Sequence, residues 1–441
     1  MSPPARPRTI VVGAGPAGLA AATALARADQ PVTVLEARPQ AGGWCRTINR
    51  EGFAFEAGPQ SWRTPPGGAL DELIAWAGLK SEVRPPSETA NRRFVLRRGR
   101  LHALPSALPR LLGPRPLLRA MSEVLRPGRP RERETVAAFV RRRFGPELAP
   151  LCDAFVSGVF AGDSEQLELA SAFPALARAE AEFGSVIRAQ QAGGFPPREI
   201  GGLRGGLGQL SEALAEDLGP HLRCGFPVEG LLPAGESLPW QLFAGGERFE
   251  AERLVLALPS YAAAKLLAPH DPLLGGLLRG IPYAPVAVVS LGFDASAFKE
   301  GPPAGFGFLV PRCEGRRLLG CIYVSSLFPD LAPAGKVSLR VLLGGAQDPG
   351  AVELSAEVLL ETTLREVREI LAIREAPQVH HVARLRRAIP QYLPGHGDRV
   401  RAIEVATSRW PNLVLIGNAY RGVSLSDTVA DAVGSVAPFL D

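Results

Sequence analysis

The stretch that decides the fold lies near the N-terminus and reads Thr9-Ile-Val-Val-Gly-Ala-Gly-Pro-Ala-Gly18. It is followed by an alanine-rich segment from Leu19 to Ala28, which favours a helix. The next segment, Val32-Thr-Val-Leu-Glu36, is rich in β-branched residues and favours a strand. This order predicts a strand, a glycine turn, a helix and a second strand, which together form the βαβ unit of an α/β fold.

The glycines of this turn follow the pattern G-x-G-x-x-G, which suits a dinucleotide. Gly13 permits the tight turn, Gly15 lets a pyrophosphate approach the backbone, and Gly18 lets the helix and strand pack closely. Glu36 follows the last glycine by 18 residues, where a carboxylate accepts both ribose hydroxyls and disfavours a 2′-phosphate. A glycine turn in an unrelated α/β protein is the alternative, but the βαβ context favours dinucleotide binding. The predicted contacts of this turn also include Ala14, Pro16 and Ala17.

The composition is that of a globular chain with a large core. The chain has 441 residues, of which 46% are hydrophobic and 21% charged, so two or more domains are expected. Its five cysteines are scattered, and only two of its six histidines are neighbours, which indicates neither a disulfide framework nor a metal site. A reducing, cytoplasmic compartment is therefore expected. No uninterrupted apolar run reaches the roughly 18 residues that a transmembrane helix needs.

The domains are predicted to interleave along the chain. A strand-rich region runs from Ile281 to Leu343, and a final strand, Leu413 to Asn418, precedes a glycine turn and a helix from Ser426 to Val436. Because both chain ends carry strand, glycine and helix units, both are expected in one discontinuous domain. The predicted fold class is α/β, with residues 1–75, 196–260 and 385–441 in a Rossmann-like cofactor-binding domain, 76–105 and 261–384 in a mixed α+β substrate domain, and 106–195 in a helical domain that is expected to face a membrane and to form a substrate channel.

Positive charge is concentrated in one segment. Between Arg84 and Arg143 there are sixteen arginines and four acids, a local charge of +12 in a chain whose net charge is +5. Leucines and prolines lie among these arginines, a mixture that fits an anionic phospholipid surface better than nucleic acid, for which interleaved aromatic residues are expected. An arginine-rich face that is simply solvated is the alternative, because only four of the 49 basic residues are lysine.

The segment after the βαβ unit, Leu35 to Arg46, resembles the second flavin motif of glutathione-reductase-type flavoproteins, which include amine oxidases, phytoene desaturases and protoporphyrinogen oxidases. The resemblance implies FAD as cofactor and a FAD-binding domain of that type. Gln40 and Ala41 stand where the motif has a basic residue, and Arg38 or Arg46 is expected to replace its phosphate contact. Further FAD-binding residues implied by the resemblance are Ala37, Gly42, Gly43, Trp44, Gly58, Pro59, Val228, Gly417, Asn418, Val423 and Ser424.

Within this superfamily the chain is most similar to protoporphyrinogen oxidases. The similarity lies in residues 91–96 with 101–105, in Phe155-Val-Ser-Gly-Val-Phe-Ala-Gly-Asp163 and in Gly417-Asn-Ala-Tyr-Arg-Gly-Val423. Residues 202–207 and 305–311 add to it. Asn418 discriminates, because amine oxidases usually carry an acidic residue there. The resemblance implies FAD-dependent removal of six electrons from a porphyrinogen in haem biosynthesis.

The implied substrate is an apolar macrocycle with carboxylate arms, so its site should combine an apolar wall with one or two cations. Arg93 is expected to hold a propionate, since a guanidinium can bind a carboxylate through two hydrogen bonds, and Arg92 competes for this role. The expected substrate wall and its close approaches are Gly158, Phe306, Gly307, Leu309, Ile322 and Leu342. Ordinary core packing is the alternative for the apolar residues, and a helix-packing turn is the alternative for Gly158. No catalytic side chain is predicted, because the flavin carries the redox chemistry.

The function predicted from these features is oxidation of protoporphyrinogen IX to protoporphyrin IX by three hydride transfers to FAD, with molecular oxygen as the acceptor. Oxidation of coproporphyrinogen III is the nearest alternative, and flavin-dependent amine oxidation is a more distant one. A non-enzymatic adaptor that uses the arginine-rich segment ranks below both. The expected partners are the tetrapyrrole, oxygen and an anionic membrane surface on the cytoplasmic face of the inner membrane. Nucleic acid is not expected, and a homodimer is left open.

Overall fold

The computed structural model describes residues 6–233 and 239–440. Its strands, in chain order, are β1 Thr9–Val12, β2 Val32–Glu36, β3 Thr47–Arg50, β4 Phe53–Glu56, β5 Trp62–Thr64, β6 Val83–Arg84, β7 Arg93–Arg97, β8 Arg100–Leu104, β9 Glu199–Leu203, β10 Leu222–Cys224, β11 Val228–Leu232, β12 Trp240–Ala244, β13 Glu247–Ala251, β14 Arg253–Leu256, β15 Tyr283–Asp294, β16 Gly307–Leu309, β17 Leu318–Tyr323, β18 Lys336–Gly344, β19 Val379–Pro390 and β20 Leu413–Leu415.

The helices of the same residues are α1 Pro16–Arg27, α2 Ala69–Trp76, α3 Leu108–Leu112, α4 Pro114–Met121, α5 Val136–Arg143, α6 Ala149–Phe160, α7 Leu169–Ala172, α8 Pro174–Phe183, α9 Val186–Gln191, α10 Gly208–Leu218, α11 Ser260–Leu267, α12 Pro272–Arg279, α13 Val324–Leu327, α14 Ala356–Leu371, α15 His396–Thr407 and α16 Leu425–Val436. None of them is both long enough and apolar enough to cross a bilayer.

A parallel five-stranded sheet joins the two ends of the chain. Its strand order is β10-β2-β1-β14-β20, so the first strand and the last strand flank β14. The strands are mostly apolar, and β1 is buried along its whole length, because the sheet is covered on both faces, as is usual for parallel sheets. Helices α1 and α16 pack together over one face, where alanines and glycine allow a close approach. The predicted α/β fold class, with a parallel sheet fed by both chain ends, is confirmed.

A seven-stranded sheet forms the second large unit, with the order β19-β15-β18-β17-β16-β7-β8. Its pairs are antiparallel except for β16 and β7, which run parallel. Alternate residues of these strands form a core that includes residues of α14. The residues between them point to the opposite face, where Arg340 of β18 donates hydrogen bonds to the carbonyl oxygens of Glu56 and Gly58. This opposite face is the one that meets the segment following β4.

Two strand pairings cross the predicted domain boundaries. Strand β19 is continuous from Val379 to Pro390 within the seven-stranded sheet, so it contains the boundary placed before residue 385. Strand β6, at residues 83–84, pairs with β9, at residues 199–203. The three-domain division remains our proposal for how the chain is organised.

A buried ion network holds the helical region together. The Arg143 side chain is almost fully buried and donates to the carboxylates of Glu123 and Glu180. Arg142 bridges Glu134 and Glu180. Glu123 also accepts from the first backbone N–H groups of α9, where a negative charge is favoured by the helix dipole. Two of the sixteen arginines in the arginine-rich segment, Arg142 and Arg143, therefore have an internal, structural role.

Candidate active site

The first glycine turn has the geometry of a close cofactor approach. Gly13 has φ +101°, and a Cβ there would lie 2.5 Å from the carbonyl oxygen of Ala257. A Cβ at Gly18 would collide with the carbonyl oxygen of Gly13. Only glycine therefore fits at this position in the first turn of α1. Around Gly15, in contrast, nothing lies within 4 Å of the Cβ position. The turn is therefore closed where it meets the sheet and open where a pyrophosphate is expected.

Glu36 lies beside this turn. Its Oε2 accepts from the backbone N–H of Ala14 at 2.7 Å, and its Oε1 accepts from that of Arg38 at 2.9 Å. Both oxygens keep a second lone pair for a ribose hydroxyl. The carbonyl oxygen of Glu36 accepts from the N–H of Phe226, and two residues later Val228 begins β11. Val228, which the resemblance gives as an FAD-binding residue, therefore lies close to the predicted ribose ligand Glu36.

The second flavin motif folds against the first. Gly42 and Gly43 have φ +103° and +58°, and a Cβ at Gly43 would lie 3.2 Å from the Cα of Gly15. A Cβ at Gly58 would collide with the backbone of Trp44, so the segment with Gly58 and Pro59 crosses directly over the same motif. These glycines bring three separate segments to one place.

Both candidates for the missing basic contact lie at this motif. Arg38 donates to the carbonyl oxygen of Gly43 at 3.0 Å and stacks on the Trp44 ring at 4.7 Å. The Nε of Arg46 is buried and has no hydrogen-bond partner within residues 6–233 and 239–440. An orphaned donor at a predicted phosphate site is a feature that a bound anion would satisfy.

The C-terminal segment completes the cofactor path. Gly417, with φ +129°, lies beside Leu258, just after the end of β14. Leu258 follows Ala257, whose carbonyl oxygen closely approaches Gly13. Ser424 caps helix α16 by accepting from a backbone N–H of its first turn. The carbonyl oxygen of Asn418 accepts from the Tyr392 hydroxyl at 2.6 Å. Val423 packs beside Phe160 and Tyr392 in a small core of the helical region. The first glycine turn, the second flavin motif and the C-terminal segment thus lie close together and form a cradle of the kind that an extended dinucleotide requires, while the individual contact residues stay predictions.

Most of the predicted substrate residues share one face of the seven-stranded sheet. Strand register places Arg93, Gly307, Ile322 and Arg340 in one row across the sheet. The next row on the same face contains Leu309, Gly320 and Leu342. Gly158 of α6 lies above Leu309, and a Cβ there would be 2.5 Å from a Leu309 methyl. The structure therefore brings together, as one surface, residues that are distant in sequence.

Arg93 sits at one end of the first row and is free to bind an anion. Its guanidinium lies 5.0 Å from the centre of the Phe306 ring, a cation–π contact that orients it. No carboxylate among the described residues lies within 4.0 Å of it. Partial burial, and then the charge of Arg63, lower the pKa of the Arg93 guanidinium. Arg92 instead stacks on Phe94, whose side chain belongs to the opposite face of the sheet.

Three features of this surface were not predicted from the sequence. Phe155 and Val159 of α6 are exposed although they are apolar; Phe155 lies about one helical turn before Gly158, and Val159 directly follows it. Their i, i+4 spacing around the predicted glycine is a signal that could have identified them. Arg63 and Arg340 carry no sequence signal, because only strand pairing brings them near the site. Among the described residues, no cluster of three or more His, Cys, Asp or Glu side chains could hold a metal ion.

Comparison with known proteins assigns the chain to a family. The model of the flavin containing amine oxidoreductases matches residues 16–435. The chain belongs to this family. It is 35% identical to the protoporphyrinogen oxidase of Macaca fascicularis, with 96% of each chain covered. It is 25% identical to the coproporphyrinogen III oxidase of Bacillus subtilis, with 98% of this chain and 97% of the other covered.

Among solved structures, a protein of Exiguobacterium sp. 255-15 that carries the provisional name protoporphyrinogen oxidase superimposes with a TM-score of 0.85. The two chains are 27% identical, and 98% of each is covered. The similarity to protoporphyrinogen oxidases that the sequence motifs indicated is therefore confirmed. As a member of the flavin containing amine oxidoreductases, the chain is an FAD-dependent oxidoreductase, and the predicted cofactor is confirmed with it.

Proposed function

We propose that this flavoprotein oxidises protoporphyrinogen IX to protoporphyrin IX, with molecular oxygen as the electron acceptor. The observation that carries the proposal is the single sheet face on which Arg93, Ile322, Leu309 and Leu342 lie side by side. Such a face offers one cation to a carboxylate arm and an apolar wall to the macrocycle. The 35% identity to the macaque enzyme over nearly the whole chain supports the same substrate.

The chain's own residues bind and orient the substrate. The oxidation removes three hydrides and three protons from the porphyrinogen, one pair for each two-electron step, and bound FAD would supply the hydride acceptor. Arg93 is expected to hold a propionate while the apolar wall excludes water from the reacting carbon. Glycines at positions 158, 307 and 320 let the backbone pack closely at this face, because a Cβ at each would collide with Leu309 or with a neighbouring strand. No side chain is required as a base, because the adjacent pyrroles stabilise the cation formed when a methylene bridge loses hydride.

Coproporphyrinogen III is the second candidate substrate, and one observation favours it. Arg63 lies close enough to lower the pKa of Arg93, so a second cation is near the first. A substrate with four propionates would use additional cations. Both porphyrinogens should be supplied to the purified protein under oxygen, and porphyrin fluorescence should be followed. A higher kcat/KM for protoporphyrinogen IX supports the proposal, and a higher value for coproporphyrinogen III replaces it. A protein that takes up no FAD contradicts both.

We also propose that the protein attaches to an anionic bilayer through the surface of α4 and the turn after it. Leu118, Met121 and Leu125 are 66%, 59% and 77% exposed there. Arg115 and Arg119 are exposed on the same helix. Exposed apolar side chains beside arginines suit the interface of a membrane that contains acidic lipids. A cytoplasmic protein bound to the inner face of a membrane would present this surface.

Sedimentation with phosphatidylglycerol vesicles tests the attachment. Leu118→Glu together with Leu125→Glu should abolish co-sedimentation, because each change places a negative charge at an apolar contact. Val405 is 63% exposed on α15, and Val405→Glu is the matched control that should bind like the wild type. Binding should weaken at high salt, since screening reduces the arginine contribution. Equal binding by the double variant and the wild type would contradict the proposal.

A further inference from the structure

Arg340 is a buried cation that forms no ion pair within the described residues. It is 6% exposed, and its two hydrogen bonds go to the backbone carbonyl oxygens of Glu56 and Gly58. No carboxylate among the described residues lies within 4.0 Å of its guanidinium nitrogens. Burial lowers the pKa of Arg340 to about 10, which leaves the group charged at neutral pH. A buried charge without a carboxylate in direct contact is costly, so its presence calls for a functional explanation.

The carboxyl group of Glu56 interacts with this charge without forming an ion pair with it. The Oε1 of Glu56 accepts from the N–H of Leu207 at 2.7 Å and from the Thr47 hydroxyl at 3.1 Å. Its Oε2 is buried and has no hydrogen-bond partner among the described residues. Burial raises the pKa of Glu56 to about 7, although the charge of Arg340 acts in the opposite direction. The carboxylate that acts on Arg340 is therefore not in direct contact with its guanidinium.

Arg340 lies where the substrate sheet meets the cofactor segments. Strand register makes it the neighbour of Ile322 in the row that begins with Arg93. On the other side it contacts the backbone of Gly58, which lies against Trp44. The motif that contains Trp44 is in turn in contact with Gly15 of the first glycine turn. A continuous chain of contacts thus connects this cation to the cofactor cradle.

We propose that Arg340 is a positioning residue for the flavin, holding the Gly58 segment in place and supplying the positive charge that stabilises the flavin once reduction has made it negative. The inference rests on the proposed function, because it assumes that FAD occupies the cradle described above. A fixed cation in a poorly solvated site acts strongly on a charge that appears only in the reduced state. The reduced cofactor should therefore bind more tightly than the oxidised one.

The test compares the affinity of the protein for reduced and oxidised FAD, obtained from the reduction potential of the bound flavin against an indicator dye. Arg340→Gln should shift this affinity ratio toward oxidised FAD by about tenfold or more. Arg340→Lys keeps the charge and should stay within about threefold of the wild type. Arg126 also donates to backbone carbonyl oxygens, those of Arg119, Arg142 and Arg143, but it lies in the helical region, so Arg126→Gln is the matched control and should leave the ratio unchanged.

Two results would overturn the inference. One is an unchanged ratio in FAD-loaded Arg340→Gln, and the other is an equal shift in Arg340→Lys and Arg340→Gln, which would point to hydrogen-bond geometry and not to charge. If Arg340→Gln fails to fold, the wild type decides the matter, because tighter binding of oxidised than of reduced FAD contradicts the inference. Failure of the wild type to bind FAD at all would instead contradict the proposed function. Arg93→Ala, which acts on the substrate, should leave the ratio at the wild-type value.

Discussion

Replacing Arg93 by alanine should weaken substrate binding without disturbing the cofactor. The guanidinium is held against Phe306 and has no carboxylate partner in the described structure, so its removal breaks no internal ion pair. Arg93 is also exposed, and the strand that carries it keeps its backbone pairing with Gly307. The variant should therefore fold normally and bind FAD like the wild type.

The expected loss follows from the strength of a charge-assisted hydrogen bond. Such bonds contribute about 1.5–3 kcal/mol, and exposed ion pairs contribute less because solvent screens them. Because Arg93 is exposed, the lower part of this range applies, about 1.5–2 kcal/mol, or roughly a 10- to 30-fold fall in kcat/KM. If the contact is equally strong in the ground state and the transition state, the fall appears in KM and kcat stays nearly constant.

Steady-state oxidation of protoporphyrinogen IX, followed by porphyrin fluorescence, measures this effect. Arg92→Ala is the matched control, since Arg92 is the neighbouring exposed arginine but stacks on Phe94, away from the predicted wall. The dimethyl ester of the substrate lacks both carboxylates and closes a double-mutant cycle with Arg93→Ala. With the ester as substrate, the kcat/KM values of the wild type and of Arg93→Ala should differ by less than about threefold.

An unchanged KM for Arg93→Ala would refute the assignment of Arg93 to a propionate. So would an equal effect of the variant on the free acid and on the ester, because the loss would then not depend on a carboxylate. A larger effect of Arg92→Ala than of Arg93→Ala would transfer the role to the neighbour. Loss of bound FAD in Arg93→Ala, seen as loss of flavin absorbance, would show that the residue acts on the cofactor.

Three further predictions concern the glycines and the buried acid. Gly15→Ala should fold but bind FAD at least about tenfold more weakly than the wild type, because its methyl group enters the open space of the turn. Gly18→Ala should yield little folded protein, because its methyl group would collide with the backbone of Gly13. Equal FAD binding by Gly15→Ala and the wild type would count against the cradle. Gly158→Ala should lower kcat/KM while flavin absorbance stays constant, since its methyl group would displace Leu309, and unchanged kinetics would separate this glycine from the site. Burial raises the pKa of Glu56 to about 7, so the folded state binds more protons than the unfolded state between about pH 4.5 and pH 7, and stability falls as pH rises through that window. The Tm of Glu56→Gln should therefore change less between about pH 5 and pH 8 than that of the wild type, and parallel curves would contradict this.

Prediction from the sequence succeeded where the signal is local. The first glycine turn, helix α1 and strand β2 follow from residues within one short segment, because only glycine tolerates the contacts at positions 13 and 18. The family and the cofactor followed from motifs of the same kind. The substrate residues stay predictions, although register now places Arg93, Leu309, Ile322 and Leu342 on one face.

Other features depend on contacts between distant segments and had no local signal. Whether Arg92 or Arg93 faces the predicted substrate wall depends on the direction of each side chain at the start of strand β7. That direction is set by the pairing of β7 with β16, which the sequence does not reveal. The internal role of Arg142 and Arg143 needed the ion network of the helical region, since charge in a sequence does not reveal burial. Pairing of β6 with β9 joined segments that had been assigned to different domains.

The amino-acid sequence by itself determined the cofactor class and the α/β fold, because glycine positions, strand patterns and capping depend on neighbours along the chain. Only the tertiary structure decided which side chains surround the cradle, and Arg340 is the clearest case. Nothing near it in sequence marks it as special, yet strand pairing and burial place its charge, unpaired, beside Gly58. The physical reason is that the energy of a charge depends on what surrounds it in space, and that is fixed only when distant segments meet.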